Sequence, residues 1–268
     1  MMRAHFRKLG ALFQIYVSEC FAYPATSVIW IVADTITALL LPAVWLAAAG
    51  PSGQIAGMSS REMVTYYLVT MTLAQFVTCH LMWDIAFDIR EGFFSAQIVR
   101  PFSFLSNCVA RNLAWRVSKL ILFLPIGAAF YMVYLGFGAP SPLTFSWTFV
   151  LATILGHVIS FLAAYSLALV SLWTVEFHNI MEMYYVPEQV LSGRLLPLAT
   201  LPIWALAVGD FLYFRYTVAF PAEILMGQAS ESEIVRGFVM QGGWLVVLWM
   251  IAHVTLRAGM RKYTGHGM

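Results

Sequence analysis

The sequence predicts an all-α, polytopic membrane protein with six transmembrane helices, an interfacial helix at its N-terminus and two half-helices ahead of the last span. Three observations predict it. The composition is 61% hydrophobic and 10% charged, with a mean hydropathy of +0.79, whereas soluble domains are about half apolar and about a quarter charged. Apolar segments recur at about 20 residues, the length a helix needs to cross the hydrocarbon core. The basic residues crowd into alternate connections, as they do in membrane proteins with a fixed orientation. Residues 1–268 read as a single domain, with no internal repeat and no low-complexity segment.

The first element is 5–23. Phe6, Leu9, Phe13, Tyr16, Val17, Cys20 and Phe21 recur at helical spacing, with Arg7, Lys8, Gln14 and Ser18 on other faces. Such a helix lies in the headgroup plane with its cations over anionic lipid. Arg3, Arg7 and Lys8 before an apolar run imitate a secretory leader, but no small-residue cleavage site follows, and Glu19 and Pro24 interrupt the run. The first span is 25–46, where Asp34, its lone ionisable residue, reads as a hydrogen bond across helices. A Gly/Pro/Ser loop at 50–60 leads to the second span, 63–83. The stretch 84–119 is polar and reads as a cytosolic connection, with its loop centred on 84–112. The third span is 120–137, the turn-rich segment 138–142 follows, and the fourth span is 149–175.

The fifth span, 180–198, carries Glu182, Glu188 and Gln189. The segment 200–228 then holds Pro202 and Asp210 among apolar residues and reads as two half-helices that dip in and return. Broken backbone at membrane depth is tolerated only where protein or water covers it, so this segment faces a partner or a cavity. The sixth span is 239–256, and Arg257, Arg261 and Lys262 follow directly. With both termini in the cytosol, eleven Lys and Arg fall inside and four outside, namely Arg61, Arg194, Arg215 and Arg236. The opposite orientation reverses that ratio, which the positive-inside rule disfavours.

Several chemistries are absent. No GxxxxGK[ST] occurs, so the chain does not bind ATP through a P-loop, and neither HExxH nor GxSxG is present. Cys20, Cys79 and Cys108 form no CxxC pair and read as small apolar fillers. His157 and His253 read as hydrogen-bonded packing residues, and His80 with Asp84, four apart, as a local polar contact. A net charge of +2 indicates no nucleic-acid partner. Glu182 and Glu188 have two readings, as the polar lining of a path or as carboxylates buried against polar neighbours. In the 84–112 loop, Asp88 with Glu91 three later has the form of a capping box, and Pro101 ends the helix so begun. Ile89, Phe93, Ala96 and Val99 or Arg100 share its apolar face. That helix either lies on lipid or enters a partner's groove, and Gly92 beside Phe93 and Phe94 favours the groove.

The motifs Ile89-Arg90-Glu91-Gly92 and Val99-Arg100-Pro101, and then Leu191-Ser192-Gly193-Arg194-Leu195-Leu196-Pro197-Leu198, Pro202, Phe214-Arg215-Tyr216 and Phe220-Pro221-Ala222-Glu223-Ile224-Leu225-Met226-Gly227, resemble the ABC-2-type permeases. The tail from Arg257 to Tyr263 fits as well. The resemblance covers essentially the whole chain and is most specific in its last hundred residues. It implies a non-catalytic permease subunit of an ATP-driven exporter in a bacterial inner membrane. It implies a second permease, identical or homologous, and a separate ATPase that carries ATP and magnesium; none of these is held by this chain. It implies that Asp88, Arg90, Glu91, Gly92, Phe93 and Arg100 belong to a coupling helix. It implies that Glu182, Glu188 and Gln189 line the translocation path, and that Pro197, Pro202, Arg215 and Glu223 belong to an outward lid. The sequence departs from the family in placing Tyr213 where proline is usual, in a less polar coupling helix and in a more acidic fifth span. Relatives export drugs, glycolipids, lipid-linked polymers and peptides, and these residues select none of them. The rival readings are an intramembrane lipid-modifying enzyme using Glu188 or His157, and a channel or secondary transporter.

Overall fold

The computed structural model describes residues 2–48, 54–55, 57–136, 141–174 and 177–263. The expected loops at 50–60 and 138–142 lie partly outside the described residues. The helices are α1 (Met2–Ala22), α2 (Pro24–Ala48), α3 (Ser60–Val77), α4 (Leu81–Arg90), α5 (Phe93–Ile98), α6 (Phe104–Leu135), α7 (Trp147–Ala168), α8 (His178–Leu191), α9 (Ile203–Phe211), α10 (Ala219–Leu225) and α11 (Glu231–Lys262). Single 3-10 turns follow α7 at Leu169–Leu172 and precede α9 at Leu198–Thr200. A minimal hairpin pairs Ile55 with Met58, its turn carried by Gly57 at φ 79°.

The helix starts are written in the sequence. Ser59 with Glu62 and Ser230 with Glu233 make reciprocal capping boxes that open α3 and α11, and Ser146 caps α7. The centre of the bundle is α7, which packs against α3, α4, α10 and α11. Its Ala152, Ala163, Ala164 and Ala168 are buried to the backbone, so neighbours approach closely. Gly156 has the same use, since a Cβ there would sit 2.6 Å from the Thr217 carbonyl oxygen. The main core joins Ile159, Leu162 and Tyr165 of α7 to Met82 and Ile85 of α4, Phe94 of α5, Phe104 and Cys108 of α6 and Ala252 of α11.

Four helical stretches, 60–90, 104–133, 147–172 and 231–262, are long and apolar enough to cross a membrane. A fifth crossing is counted if 7–22 and 27–34, which meet at 81°, act as one span. The expected first span falls within α2, which is 25 residues long. The expected fifth, 180–198, is instead a 14-residue helix, α8. At about 21 Å it is shorter than the hydrocarbon core. Gly193, at φ 79°, stops α8 in the left-handed conformation that favours glycine.

The largest departure concerns 84–119. This stretch is not a connection that ends where the third span begins; it is the end of α4, the short α5 and the first half of α6. Arg116 and Lys119 are interior side chains, 9% and 1% exposed. Without these two, the expected asymmetry of eleven against four becomes nine against four. The expected capping box at Asp88 is absent, because Asp88 sits in the last turn of α4 and the chain turns only at Gly92. Ile89 is buried on α4 and does not share a face with Phe93, which is 55% exposed.

Candidate functional site

The second span is broken at Thr78-Cys79-His80, between α3 and α4. A break inside a span frees backbone groups that have no water to meet. Polar side chains from α6 and α7 take their place. Arg116 donates to the Gln75 carbonyl at 2.8 Å and to the Thr78 carbonyl. His157 meets the Val77 carbonyl through Nδ1 at 3.1 Å and Asn112 through Nε2 at 2.9 Å. The Cys79 amide donates to Ser160 Oγ at 2.9 Å. The break thus places His80 and the first turn of α4 beside a cavity.

That cavity is about 860 Å³ and lies among α1, α2, α4, α6 and α8. Its wall carries Glu19, Asp34, Asp84 and Glu182, the cations Arg111 and Lys119, and His80 and Gln189. The rings of Tyr16, Tyr23, Trp30, Trp83, Trp115 and Tyr185 fill most of the remaining wall. Lys119 Nζ donates to Asp34 at 3.0 Å, so α2 and α6 neutralise each other across the cavity. Trp83 and Tyr185 stack at 6.1 Å, and Trp83 Nε1 donates to the Tyr185 hydroxyl at 2.7 Å, which fixes α8 against α4. Glu182 is exposed, with the His178 ring at 4.0 Å. Glu188 points elsewhere: it is buried and holds Arg194 at 3.0 Å. Of the three residues expected to line a path, the structure places Glu182 and Gln189 on the cavity wall and Glu188 in an ion pair behind it.

Below the cavity, α4, α5 and α6 form a corner. Asp88 accepts from Arg111 at 3.0 Å and from Gln97 at 2.7 Å. Asn107 donates to Gln97 at 3.1 Å and accepts from the Tyr16 hydroxyl at 2.8 Å, and Arg111 lies over the Tyr16 ring. Arg111 also reaches Asp84 at 3.2 Å, so a single guanidinium belongs to both the corner and the cavity wall. Phe94 is buried against Phe104 and Tyr263, which pins one face of α5 to the bundle. The other side carries exposed Phe87, Phe93 and Val99, with Arg90 and Glu91 paired at its edge. Gly92 makes the turn at φ 80°. Arg100 is exposed just past α5.

The segment after α8 is held by charge. Arg215 bonds Asp210 and, through Nη2, both oxygens of Glu223 at 3.0 Å, linking α9 to α10. Pro197 and Pro202 precede the 3-10 turn and α9, where their missing amides cost nothing. The Tyr66 hydroxyl donates to the Gly193 carbonyl and Tyr67 to that of Leu195, which fastens this segment to the start of α3.

Sequence reasoning missed Arg111, Arg116, Lys119, Asn112 and the aromatic wall. One signal could have found the first and third: Asn107, Arg111, Trp115 and Lys119 repeat every four residues, a polar stripe on a helix whose other faces carry Leu113, Val117, Leu120 and Leu124. Among known proteins, the family model described as ABC-2 family transporter protein matches residues 19–267. No curated protein and no solved structure matches the chain.

Proposed function

The chain belongs to the ABC-2 family of transporter proteins, and from that premise we propose that it is the permease subunit of an ATP-driven exporter in a bacterial inner membrane. The observation that carries this reading is the family match across nearly the whole chain. The permease crosses six times, with both termini cytosolic and α1 lying in the inner interface. The 81° turn between α1 and α2 supports that placement, since a helix in the interface plane must turn sharply to enter a span. α8 completes a fifth pass together with the chain that follows it, and α9 and α10 form the outward lid held by Arg215 and Glu223.

The ATPase docks on the α4–α5–α6 corner. Hydrolysis, with its ATP and magnesium, takes place on that partner, and a second permease completes the transporter. A six-residue helix cannot stand alone in water. Pinned by Phe94 and offering Phe93 and Val99 outward beside Phe87 of α4, α5 fits a partner's groove better than a free surface. Arg111 joins this corner to the cavity, which supports a route by which docking and cavity shape bias each other. Glu182 and Gln189 line the path, and Glu188 positions α8 through Arg194.

The test is purification of the tagged chain in mild detergent from its native host, asking whether a P-loop ATPase accompanies it. The double variant Phe87→Ala, Phe93→Ala should keep expression and permease pairing while the ATPase yield falls about tenfold, in line with two interface aromatics lost. No ATPase with the unaltered chain would reject the function. An undiminished yield with the variant would reject the corner as the dock. Reporter fusions after Met268 should read as cytosolic, and a periplasmic reading would overturn the six-span topology.

A further inference from the structure

The cavity wall is not balanced in charge. Four carboxylates, Glu19, Asp34, Asp84 and Glu182, face two cations, Arg111 and Lys119. Lys119 is committed to Asp34 at 3.0 Å, and Arg111 is shared between Asp84 at 3.2 Å and Asp88 at 3.0 Å. Glu19 makes no ion pair among the described residues, and Glu182 has only the His178 ring at 4.0 Å. Among the described residues, two carboxylates on the wall therefore lack a committed counter-charge. Between them stand aromatic rings whose faces attract cations. One such contact is already made inside the protein, where Lys119 Nζ lies 5.9 Å from the Trp115 ring centre.

We propose that this cavity binds an amphipathic organic cation, with Glu19 and Glu182 supplying the counter-charge and Trp30, Trp83, Trp115 and Tyr185 the stacking surface. On the exporter reading above, on which this assignment rests, this is the chemical class of what the permease moves. The volume fits. Pockets for drug-sized ligands run about 300–1,000 Å³, and this one is about 860 Å³. An anion is disfavoured, because it would have to displace Asp34 from Lys119 or Asp84 and Asp88 from Arg111 while facing Glu19 and Glu182. A neutral apolar molecule would fit the rings but leave both free carboxylates desolvated without a partner. The cation can be a free molecule or the ammonium headgroup of a lipid, since both present the same charge to the same rings.

The test uses two probes of one shape and opposite charge, tetraphenylphosphonium and tetraphenylborate, in equilibrium dialysis against the detergent-solubilised full chain. Micelle partitioning is cancelled by comparing variants in the same detergent. Glu19 and Glu182 are exposed, so the double variant Glu19→Gln, Glu182→Gln retains the fold. It should lose about tenfold in phosphonium affinity and leave borate unchanged, as expected when two partly desolvated charges are removed. Trp30→Leu, at a ring that is 60% exposed, should cost phosphonium about threefold by removing one cation–π face. Displacement of phosphonium by short-chain phosphatidylcholine assigns the site to a headgroup, and no displacement assigns it to a free cation. Phosphonium binding that ignores both carboxylates, or borate binding that falls with them, overturns the proposal. Because binding is read on the permease alone, its failure is separate from failure of the ATPase to co-purify.

Discussion

Two charged regions lie at the ends of α8, and they are built on opposite terms. At its C-terminal end every carboxylate is ion-paired: Glu188 holds Arg194, and Arg215 holds both Asp210 and Glu223. Toward its N-terminal end the cavity keeps two carboxylates, Glu19 and Glu182, that lack a committed partner among the described residues. Both regions carry acidic groups, so acidity alone distinguishes nothing. The difference lies in satisfaction. A paired group spends its interaction on the fold and holds one geometry, while an unpaired group beside a cavity keeps its interaction for a ligand.

Stability measurements can break this contrast. The largest loss is expected for Arg194→Leu, which strands Glu188 at 6% exposure. Removing one partner of a buried pair costs about 3 kcal/mol, read as an early melting transition in detergent. Arg215→Leu comes next. Its partners are about a third or less exposed, so water screens part of the loss and about 2 kcal/mol is expected. Gly92→Ala is smaller again, about 1 kcal/mol for forcing a Cβ into the left-handed region; it should also weaken ATPase capture if the corner is the dock. Glu182→Gln should leave the melting temperature unchanged, within about 0.5 kcal/mol. If Glu182→Gln destabilised the protein as much as Arg194→Leu, the cavity carboxylates would be structural and the contrast would fail.

How much of this was legible in the sequence follows from what hydropathy measures. α2, α7 and α11 were readable because their interiors are apolar in composition as well as in place. α6 was read only in its second half, because a window average counts Arg111, Arg116 and Lys119 as polar and cannot see their partners. Arg116 is in the bundle to bond carbonyls freed by the α3–α4 break, and that break carries no proline or glycine to announce it. Asp88 failed in the same way. Its spacing to Glu91 matches a capping box, but its carboxylate is spent on Arg111 and Gln97, residues 23 and 9 positions away. The cavity was legible only in fragments. Glu182 and Gln189 lie on one helix, whereas their companions Glu19, Asp34 and Lys119 come from three others, and a single sequence does not join them.

The Asp34–Lys119 pair also sets an order for assembly in the membrane. The chain emerges from its N-terminus, so α2 and its carboxylate reach the bilayer 85 residues before the ammonium that neutralises it. A lone Asp or Lys near the middle of an inserting helix costs about 3 kcal/mol, and the first half of α6 carries Arg111 and Arg116 as well. Neither helix is therefore at its best in lipid until the other is present. The two are best inserted as a unit, with α2 held at the insertion machinery until α6 arrives. The ion pair that closes the cavity wall in the finished protein is thus expected to couple the insertion of α2 to that of α6 during synthesis.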